Sequence, residues 1–360
     1  MNVDKLIKTE VIFIDNAPIK KKSDIHHGGH VRRYYAWITL NKMVGKVIPF
    51  RKENGAINPL AVRCMFKKDS KIWVEYGCGG TAHLFALFAS FIGSNRLVLN
   101  IHDFLVIQRR DLEKNPPFFR RFRLQVIETL LINRAYANIL AWPRMLDYFT
   151  PKKNQKLLIM VPGVGEDELV ALSPNNKKNG RKIALYFGSM IRKGMIQWIT
   201  ELFSEINGWE LHLVGARGDA EIAERENVKY TGSVSHDKLF DIISNADLVL
   251  IPYPKNGYMD RLIPMKIAYT LISGKPVIST RLQGLYEYTS MLGLKENIIY
   301  LDDWNRDSLM GALKKAENIE IDVSKTIEKL RSLSWEPRFR KAIEIIFNEP
   351  DSPDNQIKRI

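Results

Sequence analysis

The chain has 360 residues, 45% of them hydrophobic, long enough for two domains of similar size with a core in each. A formal net charge of +14 points to acidic partners, whether nucleic acid, anionic lipid or phosphorylated substrates, and does not choose among them. Only two cysteines occur, Cys64 and Cys78, and they lack metal-ligand spacing, which argues against a disulfide framework and a structural zinc site.

The first residues, MNVDKLIKTE, are charged, and no apolar run reaches the ~18 residues of a membrane-spanning helix. The expectation is a cytoplasmic protein with no membrane span. Short β-branched runs then alternate with helical patterns: VIFID (11–15), KVIPF (46–50), KIWVEY (71–76), RLVLNI (96–101) and LLIMVP (157–162). Runs of this kind predict parallel strands covered by helices on both faces.

After the first strand, the basic segment IKKKSDIHHGGHVRRYYAW places Gly28 and Gly29 just ahead of a helical pattern starting near Val31. Glycines there let backbone N–H groups approach a phosphate, and the helix N-terminus adds partial positive charge. An ordinary flexible turn has the same composition. The fourth strand runs into His102 and Asp103, which puts both at the rim of a cleft expected at the carboxyl ends of the strands. An Asp there can act as general base and a His can hydrogen-bond a polar ligand; capping of the next loop is the structural alternative.

The stretch NPPFFRRFRLQVIETLLINRAYANIL (115–140) opens with aromatics interleaved with Arg120, Arg121 and Arg123 and continues as an apolar helical pattern. With Arg109, Arg110 and the Tyr34, Tyr35 and Trp37 cluster it predicts a basic, aromatic patch on an anionic membrane surface. A core helix with a solvated basic start is the competing reading of its later half.

At SPNNKKNGRK (173–182) the composition becomes that of an exposed connector, which sets domains at 1–172 and 181–334. The alternation restarts with KIALYFG (182–188), ELHLVG (210–215), NVKYTG (227–232), DLVLIPY (247–253) and KPVIST (275–280). The fold class expected is α/β, two doubly wound domains facing across a cleft. In YFGSMIRKGMIQWI, Gly188 follows a strand, and Arg192 and Lys193 stand where charge-assisted donors can reach a diphosphate. Further on, a helix is expected from Pro264 to the terminator Gly274, with Lys266 in its first turn and its charge toward the cleft.

The order of the second-half motifs resembles family 4 of the GT-B glycosyltransferases: FGxxxxKG (187–194), YTGSVS (230–235), the NADLVLIPY strand, PxK followed by GKPVIST, and the late helix SWEPRFRKAIEII (334–346). The first half is similar through its Gly-Gly loop, RLVLNIHD and MVPGVGEDE. The resemblance implies a nucleoside diphosphate sugar held by the second domain, an acceptor held by the first, and a late helix (about 335–360) packed back on the first. Lys193 matches the family's diphosphate lysine, Gly28 and Gly29 its phosphate-facing loop, and Glu287 lies near a frequent acidic position; Gly188, Arg192, Gly232, Asp260, Lys266 and Tyr269 complete the implied donor set.

Three positions depart from the pattern. Ser189 stands where an Arg is usual, with Arg192 nearby, and Arg261 and Tyr269 stand where two glutamates are frequent, with Asp260 beside the first. The implied reaction retains anomeric configuration and relies on stabilising the departing diphosphate, with His102 against the transferred sugar. Expected partners are the donor, a lipid-linked or glycan acceptor and an anionic membrane surface at the inner face of the cell membrane, with no nucleic acid, cofactor or metal. A non-catalytic sugar-nucleotide or partner-binding protein is the alternative, and a basic nucleic-acid binder a minor one.

Overall fold

A computed structural model describes residues 7–15, 21–25, 28–67, 70–76, 81–92, 97–112, 117–148, 150–152, 154–169, 181–190, 195–218, 220, 222, 225–348 and 357–360. The chain forms two compact units: Met1–Lys22 with Gly29–Val161 and Trp335–Ile360, and Ser23–Gly28 with Pro162–Ser334.

The first unit is built on strands β1 (Ile7–Ile14), β2 (Val44–Pro49), β3 (Lys71–Tyr76), β4 (Leu97–Ile101), β5 (Ala137–Leu140), β6 (Lys156–Ile159) and the chain's last strand, β13 (Ile357–Arg359), in the order β13-β6-β5-β4-β3-β1-β2. All pairings are parallel. The central strands β4 and β5 are buried along their whole length, each with one asparagine, Asn100 and Asn138, among apolar residues. Around them lie α1 (Gly28–Met43), α2 (Pro59–Met65), α3 (Thr81–Ser90), α4 (Leu105–Leu112), α5 (Phe118–Arg134) and the last helix, α12 (Trp335–Phe347). Helix α12 seats Trp335 and Phe339 fully buried, Phe339 against Trp73, while Arg338 donates to the Val161 carbonyl at 2.8 Å.

The second unit has strands β7 (Lys182–Phe187), β8 (Trp209–Val214), β9 (Val228–Gly232), β10 (Leu248–Ile251), β11 (Val277–Thr280) and β12 (Ile298–Leu301), parallel throughout in the order β12-β11-β10-β7-β8-β9. Its helices are α6 (Ile196–Ser204), α7 (His236–Asn245), α8 (Lys266–Ile272), α9 (Gln283–Leu292), α10 (Arg306–Ala316) and α11 (Val323–Arg331). Strand order reverses between β7 and β10 here and between β1 and β3 in the first sheet. At such reversals the connections leave in opposite directions and open a crevice at the strands' carboxyl ends. Both sheets are of the doubly wound class expected from the sequence.

Three details differ from that expectation. The helical pattern over 115–140 stops at Arg134, and Ala137–Leu140 is strand β5, inserted between β4 and β6. Residues 162–169, expected with the first domain, stand in the second unit, where Glu168 bonds His236. Helix α1 begins at Gly28, so Gly28 and Gly29 form its first turn instead of a loop before it.

Candidate active site

In the second unit the crevice at the β7/β10 reversal is shaped by two glycines and one lysine. Gly188, directly after β7, has φ +121°, and Gly215, directly after β8, has φ +138°, backbone regions that a side chain strongly disfavours. A Cβ on Gly215 would stand 2.1 Å from the Gly188 carbonyl oxygen, and one on Gly188 would stand 3.1 Å from Nζ of Lys266. Gly188 thus leaves room for the lysine, and Gly215 leaves room for Gly188.

Lys266 opens α8 and is 9% exposed. Its ammonium donates to the Phe187 carbonyl and lies 3.9 Å from the ring centre of Tyr186 and 5.4 Å from that of Tyr253. A carbonyl dipole and two aromatic faces offset the cost of burying this cation. The result is a positive charge at the carboxyl end of the central strand, at the position where an α/β sheet binds its ligand.

Tyr269, one turn further along α8, is buried and meets His236 and Phe240 edge-to-face, with ring centres at 5.3 and 5.6 Å. His236 is in turn 2.7 Å from Oε1 of Glu168, whose Oε2 accepts from the Gly165 N–H. Both members of this His–carboxylate pair are buried. Spacing along the chain gave no sign of it, because the partners are 68 residues apart.

Asp260 holds the start of α9: Oδ1 accepts from Gln283 N–H at 3.0 Å and its carbonyl from Gly284 N–H at 2.8 Å. Its neighbour Arg261 turns back onto the Gly257 carbonyl. Glu287 is exposed on α9, and Gly232 ends β9 with φ +79° and its carbonyl bonded to the Gly215 N–H. Ser189 offers its carbonyl to the Tyr186 hydroxyl at 2.9 Å. Arg192 and Lys193 lie outside the described residues.

In the first unit, His102 follows β4 directly and belongs to a buried polar chain that runs across the sheet. Arg32, fully buried on α1, donates to Asn100 Oδ1 at 3.0 and 2.7 Å and to the Met160 carbonyl at 2.9 Å. Asn100 donates to both oxygens of Glu75, Trp73 donates to Oε1 at 2.7 Å, and His102 Nε2 is 2.6 Å from Oε2. Burial raises the affinity of Glu75 for a proton, yet the hydrogen bonds from His102, Asn100 and Trp73 hold its carboxyl below the usual range.

Burial also lowers the His102 imidazole, against the opposing pull of Glu75. The pair at neutral pH is therefore a carboxylate accepting from a neutral imidazole that carries its proton on Nε2, which leaves Nδ1 as an acceptor. Burial lowers Arg32 as well, to about 10, so it remains the cation of the chain. Asp103, beside His102, accepts from Gln108 at 3.4 Å. Of this network only His102 was singled out in the sequence.

Burial pushes Glu128 up to about 7. One of its oxygens accepts from the Tyr76 hydroxyl and from the Leu105 N–H, both at 2.8 Å, so it caps α4 at the end nearest His102. It also lines a cavity of about 260 Å³ with Phe104, Ile107, Asn133 and Tyr148. Of the residues expected at a membrane, Arg121 and Arg123 are exposed on α5, while the side chains of Arg109, Arg110 and Arg120 lie outside the described set. Among the described residues no group of three or more His, Cys, Asp or Glu is placed to hold a metal, and no helix is long and apolar enough to cross a membrane.

Residues 181–315 match the family model "Glycosyl transferases group 1". The fold is similar over nearly the whole chain to sucrose-phosphate synthase from Thermosynechococcus elongatus, with TM-score 0.64, 14% identity and coverage of 94% of this chain and 98% of that one. It is similar also to α,α-trehalose 6-phosphate synthase from Burkholderia multivorans, with TM-score 0.61, 10% identity and coverage of 94% and 98%. The E. coli trehalose-6-phosphate protein bound with UDP-2-fluoro glucose gives TM-score 0.58 at 12% identity, covering 96% and 100%. No curated protein sequence matches. The resemblance to GT-B glycosyltransferases read from the second-half motifs is borne out.

Proposed function

We propose that this GT-B chain transfers a hexose from a nucleoside diphosphate sugar to a lipid-linked or glycan acceptor at a membrane surface, with retention of configuration. The observation that carries the donor half is the Gly188–Lys266 arrangement at the β7/β10 crevice, inside the stretch matched by the group 1 glycosyl transferase model. A departing diphosphate accumulates negative charge, and a fixed ammonium beside an open glycine stabilises that charge without reorganising. In this reading Lys193 and Arg192 supply further cations, Gly28 and Gly29 present the N-terminus of α1 to phosphate, and Gly232 and Glu287 border the donor.

On the acceptor side, His102 is the group turned to the transferred sugar. Glu75 fixes its tautomer, so Nδ1 accepts from a sugar hydroxyl. Asp103 stands beside it as a second polar contact. The family model and the UDP-2-fluoro glucose bound by the E. coli neighbour support a nucleotide-sugar donor; the basic, aromatic start of α5 supports the membrane.

Tyr269 favours a second reading, a GT-B protein that binds sugar nucleotide without turning it over. It replaces a carboxylate frequent at this position in similar chains and is locked among His236 and Phe240. The two readings separate when the purified protein is incubated with nucleoside diphosphate hexoses and a lipid extract of its source cells. Release of the nucleoside diphosphate with sugar appearing in the lipid phase supports transfer; saturable donor binding without release establishes the second reading.

A further inference from the structure

Helices α3 and α5 pack side by side in the first unit and are tied at one end, where the Arg134 guanidinium lies 3.9 Å from the centre of the Phe91 ring and donates to the Ser90 hydroxyl and carbonyl. Each turns an apolar stripe outward. On α3 and the turn after it the stripe is Leu84, Phe88, Phe91 and Ile92, and Phe88 is 66% exposed. On α5 it is Phe118, Phe119, Phe122, Val126 and Leu130, and Phe119 is 84% exposed. Spacing by three and four residues puts each set on one side of its helix. The inner faces are satisfied separately, by Ala86 and Ala89 on α3 and by Glu128, Leu131 and Ile132 on α5.

Contiguous apolar surface of this kind marks a docking site, and its charge names the occupant. The two helices together carry four arginines, Arg120, Arg121, Arg123 and Arg134, and a single acid, Glu128, which is buried. At one hundred degrees per residue, Arg123 borders the α5 stripe beside Leu130, and Arg121 lies further round, toward the angle of Glu128, exposed near the start of the helix. Aromatic and aliphatic tips with exposed cations beside them are suited to sinking below a layer of anionic headgroups. A second copy of the chain, docked by two-fold symmetry on the same face, would bring these arginines against one another without a carboxylate between them.

We infer that the α3–α5 face binds an anionic lipid bilayer, with both apolar stripes inserted and Arg121 and Arg123 on headgroup phosphates. This deepens the membrane part of the proposed function and adds α3, which holds no cation and was not singled out in the sequence.

The test is flotation of the full chain with vesicles of phosphatidylcholine alone or of equal parts phosphatidylcholine and phosphatidylglycerol. The wild type is expected to float only with the anionic vesicles and to release as salt is raised. Phe88→Ser/Ile92→Ser, Phe119→Ser/Phe122→Ser and Arg121→Glu/Arg123→Glu are each expected to weaken partitioning by roughly tenfold or more. Thermal melting and the nucleotide-induced rise in Tm, read in the same variants, are expected to stay at wild-type values. That separates loss of the membrane face from misfolding and from failure of the donor reading. Wild-type partitioning in the α3 variant, absence of binding to anionic vesicles, or a dimer dissolved by these substitutions would overturn the inference.

Discussion

His83 and Glu128 lie against the same tyrosine and respond to pH in opposite directions. The His83 ring is 5.0 Å from that of Tyr76, and burial lowers its imidazole from 6.5 to about 4. Between those values the unfolded chain takes up a proton that the folded one refuses, so this contribution is complete above pH 6.5 and is lost as pH falls toward 4. The loss is on the order of 3 kcal/mol at most. Glu128, raised from 4.5 to about 7, holds a proton in the fold that the unfolded chain has given up; its contribution is complete below 4.5 and lost as pH rises through 7. Denaturant titrations across this range are expected to lose the acid-side fall in His83→Asn and the alkaline-side fall in Glu128→Gln. Unchanged pH profiles would mean that neither group is buried as described.

The start of α9 is set by Asp260 and by the room at Gly284, and these give sharper expectations than the strands do. Asp260→Ala removes the acceptor at the head of α9 and should cost about 1 kcal/mol in denaturant unfolding, whereas Asp260→Asn should cost much less, since Asn also caps. Gly284→Ala is expected to cost more than Asp260→Ala, because its Cβ would stand 2.4 Å from the Arg261 carbonyl oxygen, a backbone atom that cannot swing aside. The elements were legible where burial is two-sided: KIWVEY is strand β3 end to end, and KIALYF is β7. ANIL was not, because four residues, three of them apolar, after a long helix fit a further helical turn as well as a strand, and only pairing with β4 and β6 decides between them. The last strand, Ile357–Arg359, gives still less signal, being a basic three-residue edge.

At the scale of the molecule, the sequence disclosed the fold through its repeated alternation and the order of its second-half motifs. The candidate site was legible where it sits next to a glycine, a strand end or a helix start. Gly188 and His102 are such positions, and Lys266 was visible through its place at a helix start. Glu75, Arg32 and Glu168 were not visible, since a buried ionic group on a strand or helix has no local pattern and acquires meaning only from partners far along the chain. On the proposed reading the two units divide the labour: substitutions on the α3–α5 face are expected to leave nucleotide binding intact, and substitutions at Lys266 to leave vesicle binding intact.

The central claim is that the β7/β10 crevice holds a nucleoside diphosphate sugar, and thermal unfolding against a panel of nucleoside diphosphates and their hexose conjugates tests it most directly, since a ligand bound only by the native state raises Tm. A rise with one base is expected for the wild type, lost in Gly188→Val and strongly reduced in Lys266→Met, with both variants still melting cooperatively. Absence of a shift with every nucleotide, or an equal shift in both variants, would contradict the assignment of this crevice as the donor site.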